Sequence, residues 1–466
     1  MSTSVIVSGL GFGDEGKGLI TSYLTKTRHA HWNVRYNGGA QAAHHVVREN
    51  SKWHRFQQLG SGTFDFASTF LSRYVIVHPL RLLDEARELQ DKHYLANPLR
   101  TLFIDGRAVV ITPYHTALNQ LKERSRGMAR HGSTGLGVGE TRAFEKKHPD
   151  LALRASDLSN PSRLKERMRA IGESLADEAR EYEFSAQFDE AAFRRFVGDY
   201  IEAGRHLAVV SDDFFATHIV RDGNIIFEGA QGILLDELYG FHPHNTWTNT
   251  TTANARAMLA EADYSGEVVS LGVMRSYMSR HGAGPLPTED LRLAVRDEHN
   301  TTGEWAGRMR YGHLDGLLLR YAMQVSGGID EIAVTHVDEL DRLPDLAAVA
   351  YRRNGRRIEN VSELLDPEEF GVREGQMALT KRLGGFEPEY AAKDGLEGIA
   401  SLLDCPVTLA SCGPRTRDVV DLRGSDAPPE VMPPRSAPRG VLPASLTKVG
   451  PGSFRALRQR QGSGRP

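Results

Sequence analysis

The sequence predicts an α/β fold with a large, mainly parallel central sheet and flanking helices. Short apolar runs alternate with amphipathic stretches along most of the 466 residues, as in sheets covered by helices on both faces. The first apolar run, Ser4–Ser8, leads into a glycine-rich loop with the spacing of a phosphate-binding loop, G-x-x-x-x-G-K. Further glycine-containing clusters follow other predicted strands. Because open α/β sheets bind ligands beyond the carboxyl ends of their strands, we expect these clusters to share one edge.

The elements can be assigned in chain order from periodicity and turn signals. Ser4–Ser8 is the first strand and Lys17–Thr25 the helix after the loop, while Asn354-Gly355 predicts a hairpin between Ala347–Arg352 and Arg356–Glu359. Helical spacing predicts helices at Arg81–Asp91, Tyr114–Arg124 and Leu314–Val325. Short apolar runs predict strands at Val34–Tyr36, Tyr74–His78, Leu102–Ile104, Ala108–Ile111, Leu207–Val210, Ile225–Glu228, Val268–Val273 and Glu331–Thr335, and Leu396–Leu403 with Val407–Ala410 close the fold.

Composition excludes several classes of function. A net charge of −3 gives no electrostatic reason to expect a nucleic acid or an anionic membrane as partner. No apolar run approaches the roughly 20 residues that a membrane helix needs, and the N-terminus lacks the pattern of a secretory leader. Cys405 and Cys412 are not accompanied by other residues at metal-ligand spacing, and we expect them to be reduced thiols. These features predict a cytoplasmic protein.

The composition changes near Gly424. From residue 425 to residue 466 the chain is rich in Pro, Gly, Ser and Arg and ends in a basic stretch. Such a segment buries too little apolar surface to offset its ordering entropy, so we predict a disordered tail at 425–466 after a folded domain at 1–424.

The glycine-rich loop departs from a nucleotide triphosphatase loop at one position. Gly18 stands where those enzymes carry the Ser or Thr whose hydroxyl binds Mg²⁺. Two carboxylates, Asp14 and Glu15, lie beside the expected phosphates. Negative charge there is costly unless it binds a cation or moves protons, so the loop predicts chemistry beyond simple nucleotide hydrolysis.

Polar side chains in the other clusters suit nucleotide chemistry, although each cluster alone also fits an ordinary loop. His44 has a side chain able to act as an acid near neutral pH, and Gln231 can read a base edge or another amide. Arg308 and Arg310 suit bidentate binding of carboxylates, and Asp338 can accept two hydrogen bonds from a guanine edge. The segment 132–139 resembles an amide-rich anion loop.

Taken in order, these motifs resemble the adenylosuccinate synthetase family from about Ser4 to Leu422. Gly13–Gly18 is identical to the family's Gly-Asp-Glu-Gly-Lys-Gly signature, and the resemblance extends to Phe227–Asp236, Gly282–Glu289 and Ser411–Pro414. It implies a homodimeric ligase of purine nucleotide biosynthesis that joins L-aspartate to C6 of a 6-oxopurine nucleoside monophosphate. The expected reaction converts IMP to adenylosuccinate with GTP hydrolysis, through a 6-phosphoryl intermediate.

The resemblance also implies roles for individual residues. Asp14 would remove the purine N1 proton and, with the carbonyl of Ala43, hold Mg²⁺; His44 would stabilise the moving phosphoryl group and protonate the leaving oxygens. Lys17 and the loop amides would bind phosphates. The complete set comprises Asp14, Lys17, His44 and Gln231 for catalysis; Gly13, Glu15, Gly16, Gly18, His45, Asp338, Ser411 and Gly413 for the nucleoside triphosphate; and Gln41, Thr134, Thr246, Thr301, Thr302 and Arg308 for the acceptor nucleotide and aspartate.

Departures from the family pattern surround the purine pocket. The family's Asn-Ala-Gly-His-Thr segment is Gln41-Ala42-Ala43-His44-His45 here, and a family lysine in the guanine-reading segment is His336. Where the family usually runs Thr-Thr-Gly-Arg, the segment 301–308 reads Thr-Thr-Gly-Glu-Trp-Ala-Gly-Arg, so either the arginine has moved along the chain with an insertion or the carboxylate loop is rebuilt. The arginine expected to reach across the dimer has only Arg142 as a counterpart. An alternative is therefore a phage-type enzyme that joins aspartate to (d)GMP with ATP or GTP. A nucleotide-binding protein without catalysis is a third hypothesis.

Overall fold

The computed structural model describes residues 2–127, 132–182, 189–295 and 307–423. Its α-helices within these ranges are α1 (Lys17–Thr27), α2 (Pro79–His93), α3 (Pro113–Ser125), α4 (Val138–Lys147), α5 (Pro161–Arg180), α6 (Glu190–Gly204), α7 (Ala253–Glu261), α8 (Gly316–Val325), α9 (Arg373–Leu383) and α10 (Gly395–Leu403). Its strands are β1 (Thr3–Gly9), β2 (Trp32–Arg35), β3 (His44–Val47), β4 (Trp53–Phe56), β5 (Ser68–Leu71), β6 (Ile76–Val77), β7 (Leu102–Asp105), β8 (Val109–Val110), β9 (Ala208–Val210), β10 (Ile225–Glu228), β11 (Glu267–Arg275), β12 (Met278–His281), β13 (Met309–Gly312), β14 (Leu314–Asp315), β15 (Glu331–Thr335), β16 (Leu346–Arg353), β17 (Arg356–Ile358), β18 (Glu387–Ala392), β19 (Val407–Ser411) and β20 (Val419–Asp421).

A ten-stranded sheet forms the centre of the molecule, in the order β20-β19-β15-β11-β1-β10-β2-β5-β7-β9. Its neighbours pair in parallel except for the edge strand β20, which is antiparallel to β19. The residues of β10 and β2 are all buried, since helices cover both faces of a parallel sheet. The predicted α/β class with a mainly parallel sheet is confirmed.

Smaller sheets attach to this centre and carry several candidate site residues. The hairpin β3–β4 pairs His44 with Phe56, and the hairpin β12–β13 pairs His281 with Met309. A third sheet contains β14, β16, β17 and β18, and its β16–β17 hairpin turns at the predicted Asn354-Gly355. Gly355 has φ +80°, a backbone conformation that glycine adopts without a Cβ penalty.

Some sequence-based predictions are corrected. The helix predicted over Leu314–Val325 begins only at Gly316, because Asp315 caps it: its Oδ1 accepts the Leu318 amide at 3.1 Å, while Leu314 and Asp315 form β14. The strands predicted at Tyr74–His78 and Ala108–Ile111 shrink to β6 and β8. These two strands pair with each other and lie outside the central sheet.

Two further features bear on the composition-based predictions. Cys405 and Cys412 are both free. Within the described ranges, no helix combines the length and apolarity that a membrane crossing requires. The predicted boundary near Gly424 and the tail at 425–466 lie outside the described residues.

Candidate active site

The loops that follow the parallel strands gather at one edge of the central sheet, as the sequence predicts. The glycine-rich loop follows β1, the segment containing Gln231 follows β10, and the turn containing His336 follows β15. The loop touches both neighbours: a Cβ on Gly13 would lie 3.8 Å from the Gln231 Cα, and one on Gly16 would lie 3.0 Å from the Thr335 Cγ2. The sheet therefore brings together residues that are far apart in the sequence.

Glu15 organises the glycine-rich loop from within. Its carboxylate accepts hydrogen bonds from the amides of Gly11 (3.0 Å) and Gly13 (2.8 Å) and forms a short ion pair with the ammonium of Lys17. The side chains of Glu15 and Lys17 are 4% and 2% exposed. Gly16 precedes α1 in a left-handed conformation with φ +89°, and no side chain caps the helix. The first amides of α1 are thus left for an anion, whereas the charge of Lys17 is already partnered.

Gly18 has a steric role that its sequence context did not reveal. A Cβ at this position would lie 2.9 Å from the His44 Cβ, 3.0 Å from the His45 carbonyl oxygen and 3.1 Å from the Ser61 Oγ. The absence of a side chain lets the β3–β4 hairpin pack directly against α1. A hydroxyl-bearing residue here would displace His44, so the missing Ser or Thr reflects the position of the histidine.

His44 and Glu228 form a buried pair. The His44 Nδ1 lies 2.5 Å from the Glu228 Oε1, and the two side chains are 7% and 0% exposed. Ser61 supports the carboxylate with its amide (2.9 Å to Oε2) and its hydroxyl (2.5 Å to Oε1). Sequence analysis missed the role of Glu228, although this residue lies inside the Phe227–Gly232 motif at the end of β10.

The electrostatics of this pair fix its charge state. Burial alone would raise the pKa of Glu228, but the charge of Arg35 and the contacts with His44 and Ser61 outweigh it and bring this pKa down to about 2. Burial lowers the pKa of His44, although the charge of Glu228 acts against this effect. An ionised Glu228 therefore orients a neutral imidazole through Nδ1–H, leaving Nε2 as the reactive nitrogen.

Asp14 occupies a constrained position at the tip of the loop. Its backbone is left-handed with φ +59°, and its carbonyl oxygen accepts a hydrogen bond from the Arg275 Nε at 2.5 Å. Its Oδ2 lies 3.3 Å from the His281 Nε2, and both side chains are between a quarter and a third exposed. Sequence analysis missed both partners, because the positions of Arg275 and His281 near this loop follow from how β11 and β12 pack.

Amide and hydroxyl groups line the acceptor side of the site. The Gln231 Nε2 donates to the Thr246 Oγ1 at 3.1 Å, and the Thr248 hydroxyl lies 3.4 Å from the Gln231 Oε1. The amide of Gln41 is different, since both its nitrogen and its oxygen are buried without a hydrogen-bond partner among the described residues. A buried amide left unpaired costs about 1–3 kcal/mol, which is expected where a ligand completes the hydrogen bonding.

The predicted triphosphate side lies next to β15 and β19. Asp338 is exposed in the short turn after His336, and the buried Ser411 hydroxyl donates to the Gly413 carbonyl oxygen at 2.7 Å. Because β15 and β19 pair in parallel with Val334 opposite Ala410, the following residues Thr335 and Ser411 reach the same edge. Of these residues Thr335 contacts the glycine-rich loop, because its hydroxyl donates to the Glu15 carbonyl oxygen at 2.8 Å.

The predicted carboxylate-binding residues lie on the β12–β13 hairpin. Arg308 is 64% exposed with its Nη2 3.5 Å from the Glu289 Oε1, and Arg310 donates to the Glu289 Oε2 from Nε at 3.0 Å. The Gly282 amide donates to the Arg308 carbonyl oxygen at 2.9 Å, which ties this segment to the end of β12, next to His281. Thr301 and Thr302 lie outside the described residues.

Two other predicted residues have partners of their own, and a third is exposed. The His45 Nε2 accepts from the Arg55 Nε at 2.9 Å, and Arg142 forms a short ion pair with Glu145. Thr134 is exposed in the loop before α4, where neighbouring residues are held by α3.

The donors present fit a magnesium ion better than a protein-only metal cage. No group of three or more His, Cys, Asp or Glu side chains in the described ranges is arranged to hold a metal. Asp14 keeps a partly exposed carboxylate and Ala43 is exposed, so each offers one hard oxygen. Mg²⁺ commonly takes one or two protein oxygens and completes its shell with phosphates and water.

Comparisons with known proteins agree with this architecture. The family model described as adenylosuccinate synthetase matches residues 6–420. An adenylosuccinate synthetase from Stenotrophomonas maltophilia is 33% identical over 441 residues, which cover 89% of this chain and 97% of the relative. One from Xanthomonas oryzae is 32% identical over 443 residues with the same coverage.

Solved structures share the fold at low identity. The fully ligated adenylosuccinate synthetase of Plasmodium falciparum matches with a TM-score of 0.72 at 21% identity, covering 90% of this chain and 99% of that one. The succinoaminodeoxyadenylate synthetase of cyanophage S-2L, bound to dGMP and to dATP as energy donor, matches with a TM-score of 0.56 at 18% identity, covering 90% and 95%. The chain belongs to the adenylosuccinate synthetase family and is a carbon–nitrogen ligase.

Proposed function

We propose that this protein joins L-aspartate to C6 of a 6-oxopurine nucleoside monophosphate, converting IMP to adenylosuccinate at the expense of GTP. The observation that carries this proposal is the meeting of Asp14, the His44–Glu228 pair and Gln231 around one uncapped helix N-terminus. A base, an oriented imidazole and an anion site together suit phosphoryl transfer to a purine O6. This oxygen becomes nucleophilic only after the ring nitrogen N1 has lost its proton.

The first step activates the purine. The Asp14 carboxylate takes the N1 proton, and O6 attacks the γ-phosphorus, so that the O6–P bond forms and the bond to the GDP oxygen breaks. The α1 amides bind the phosphates, and Lys17 joins them when its pair with Glu15 opens. The Nε2 of His44 faces the phosphoryl group and carries a proton once the negative charge of the phosphates surrounds it.

The second step forms the carbon–nitrogen bond. The aspartate amine attacks C6, the C6–O6 bond breaks, and inorganic phosphate leaves with O6 while the nitrogen loses a proton. Arg308, with Thr301 and Thr302, binds the aspartate carboxylates. The remaining binding roles are proposed as the motifs assign them, with Gly13, Glu15, Gly16, Gly18, His45, Asp338, Ser411 and Gly413 around the triphosphate and Gln41, Thr134, Gln231 and Thr246 around the acceptor.

Magnesium is the proposed metal, with Asp14 and the carbonyl of Ala43 as its protein ligands. When bound, it neutralises phosphate charge during the transfer. The proposal further includes a homodimer, a location in the cytoplasm, a ligase domain at 1–424 and a separate tail at 425–466.

A second acceptor deserves a test because of Gln41. Its buried amide offers both a donor and an acceptor where the family carries the shorter Asn, and Ala43 and His45 also differ in this segment. A 2-amino-6-oxopurine such as (d)GMP presents an additional amino group for such contacts. The second candidate is therefore the joining of aspartate to (d)GMP, with ATP or GTP as donor.

One experiment distinguishes these functions. Purified full-length protein with Mg²⁺ and aspartate is offered IMP, GMP or dGMP, each with GTP or ATP, and product mass and phosphate release are measured together. We expect adenylosuccinate from IMP and GTP. A succino-product from GMP or dGMP alone would replace the first candidate by the second, and no succino-product from any pair would overturn the ligase proposal in favour of nucleotide binding without catalysis.

A further inference from the structure

Lys393 is a buried lysine that has no counter-ion within the described parts of the chain. The residue is 3% exposed. Its ammonium donates one long hydrogen bond among the described residues, 3.4 Å to the carbonyl oxygen of Ser276. Within the described ranges no carboxylate lies within 4.0 Å of it. Burial lowers the pKa of Lys393, and the more distant charge of Asp345 opposes this effect. Buried ammonium groups normally have several acceptors, so this one has capacity for a ligand.

The surrounding backbone places this ammonium at the ligand edge of the central sheet. Ser276 directly follows β11; its amide donates to the Thr335 carbonyl oxygen at 3.0 Å, and its hydroxyl donates to the His336 carbonyl oxygen at 2.7 Å. Lys393 itself directly follows β18, and its amide donates to the Asp345 carbonyl oxygen at 3.3 Å. The third sheet therefore brings Lys393 next to the turn that precedes Asp338.

His336, in the turn before Asp338, does not supply an extended cation to this region. Its Nδ1 lies 3.1 Å from the Thr335 Oγ1, and its ring meets Tyr277 edge-on with 5.7 Å between centroids. An imidazole held in this way lacks the long stem and the permanent charge of a lysine. The ammonium of Lys393, which follows β18, reaches the Ser276 carbonyl oxygen, and the Ser276 hydroxyl in turn donates to the His336 carbonyl oxygen.

We propose that Lys393 reads the base of the triphosphate donor by donating hydrogen bonds to O6 and N7 of guanine. Asp338 accepts from N1–H and the 2-amino group on the adjoining edge. Adenine offers only N7 on the Lys393 side and presents an amino group there instead of an oxygen, so the pair selects GTP over ATP. The inference rests on the proposed function and names the donor nucleotide of that same site.

A structural role for Lys393 makes a different prediction. If the ammonium only supported the Ser276 carbonyl, its removal would destabilise the protein and weaken all nucleotides alike, because phosphate contacts are common to GDP and ADP. A base-reading role changes the ratio of the two affinities. The ratio of GDP to ADP binding is therefore the decisive quantity, and it needs no turnover.

The test compares Lys393→Met with the wild type and with Lys381→Met, an exposed lysine on α9. Calorimetry on the full-length proteins with Mg²⁺ gives the dissociation constants of GDP and ADP. We expect the wild type and Lys381→Met to prefer GDP, and Lys393→Met to lose about 10- to 100-fold in GDP affinity, the range for a hydrogen bond to a charged group. Its ADP affinity should change by less than about threefold.

Several outcomes would overturn the inference: equal losses for GDP and ADP, no loss in Lys393→Met, or a wild type that binds ADP as well as GDP. The last measurement requires no variant, and Lys393→Gln, which keeps a buried polar side chain of similar length, provides a second test should Lys393→Met fail to fold. The proposed ligase function fails separately, through the absence of succino-product in a wild type that still prefers GDP.

Discussion

The Nε2 of His281 lies 3.3 Å from the Oδ2 of Asp14 and connects the glycine-rich loop to the β12–β13 hairpin. The next residue of the chain, Gly282, donates its amide to the Arg308 carbonyl oxygen at 2.9 Å. One short segment therefore spans the distance between the proposed base and the proposed aspartate-binding arginine.

Replacing Asp14 by Asn is expected to abolish the proton transfer and preserve the fold. The amide keeps the size of the side chain but cannot take the N1 proton, and general-base catalysis contributes about 10²–10⁴-fold to such rates. Steady-state kinetics should show a fall in kcat of that order, while calorimetry should still detect GDP binding. The exposed Asp84→Asn on α2 serves as the control. Undiminished turnover in Asp14→Asn would contradict its assignment as the base.

Replacing Glu228 by Gln is expected to impair both stability and turnover. The change weakens the buried hydrogen bonds that Ser61 and His44 make to this side chain, at a cost of about 1–3 kcal/mol in the free energy of unfolding, and it removes the carboxylate that orients His44. The free energy of unfolding, measured with urea, and kcat should both fall, with kcat lower by about 10²-fold. Glu173→Gln, exposed on α5, should change neither. A Glu228→Gln protein with normal kcat would show that the pairing with His44 is structural only.

Introducing a hydroxyl at position 18, as nucleotide triphosphatases have, is expected to damage the site and not to create a nucleotide triphosphatase. In Gly18→Ser the new Cβ would lie 2.9 Å from the His44 Cβ, so the β3–β4 hairpin must shift, at a cost on the order of 1–3 kcal/mol in stability. The thermal unfolding midpoint and kcat should both decrease. Gly198→Ala on α6 is the matched control, because a Cβ there meets nothing within 4 Å and favours the helix. A Gly18→Ser protein with full ligase activity would contradict this steric explanation.

Acid should destabilise the fold through His115. This residue is 1% exposed, its Nδ1 accepts the Thr112 amide at 3.2 Å in the cap of α3, and burial lowers its pKa to about 3. Below the unfolded value of 6.5 only the unfolded chain takes up a proton here, so stability falls as the pH drops from 6.5 towards 3. At pH 5 the loss attributable to this group is about 2 kcal/mol.

A variant isolates this contribution. His115→Gln retains an acceptor at the third helical position but does not titrate. Unfolding at pH 7.5 and pH 5 should show a smaller decrease in stability for His115→Gln than for the wild type. Equal decreases in the two proteins would assign the acid sensitivity to other groups.

The amino-acid sequence by itself determined the fold class, the glycine-rich loop between β1 and α1, and the family. These follow from local patterns: buried apolar runs specify parallel strands, and Gly13–Gly18 specifies a tight glycine-rich turn between a strand and a helix N-terminus. Asp14, His44 and Gln231 could be predicted as site residues because each lies in a short contiguous motif.

Only the tertiary structure decided which groups surround those residues. Glu228 meets His44, His281 meets Asp14, and Lys393 reaches Ser276 because three smaller sheets pack against the central sheet near the ends of its parallel strands. The same packing explains Gly18, whose missing side chain leaves room for His44. Sequence spacing reports contacts within a helix turn or a loop, whereas contacts across a sheet depend on strand order and register, which no local pattern encodes.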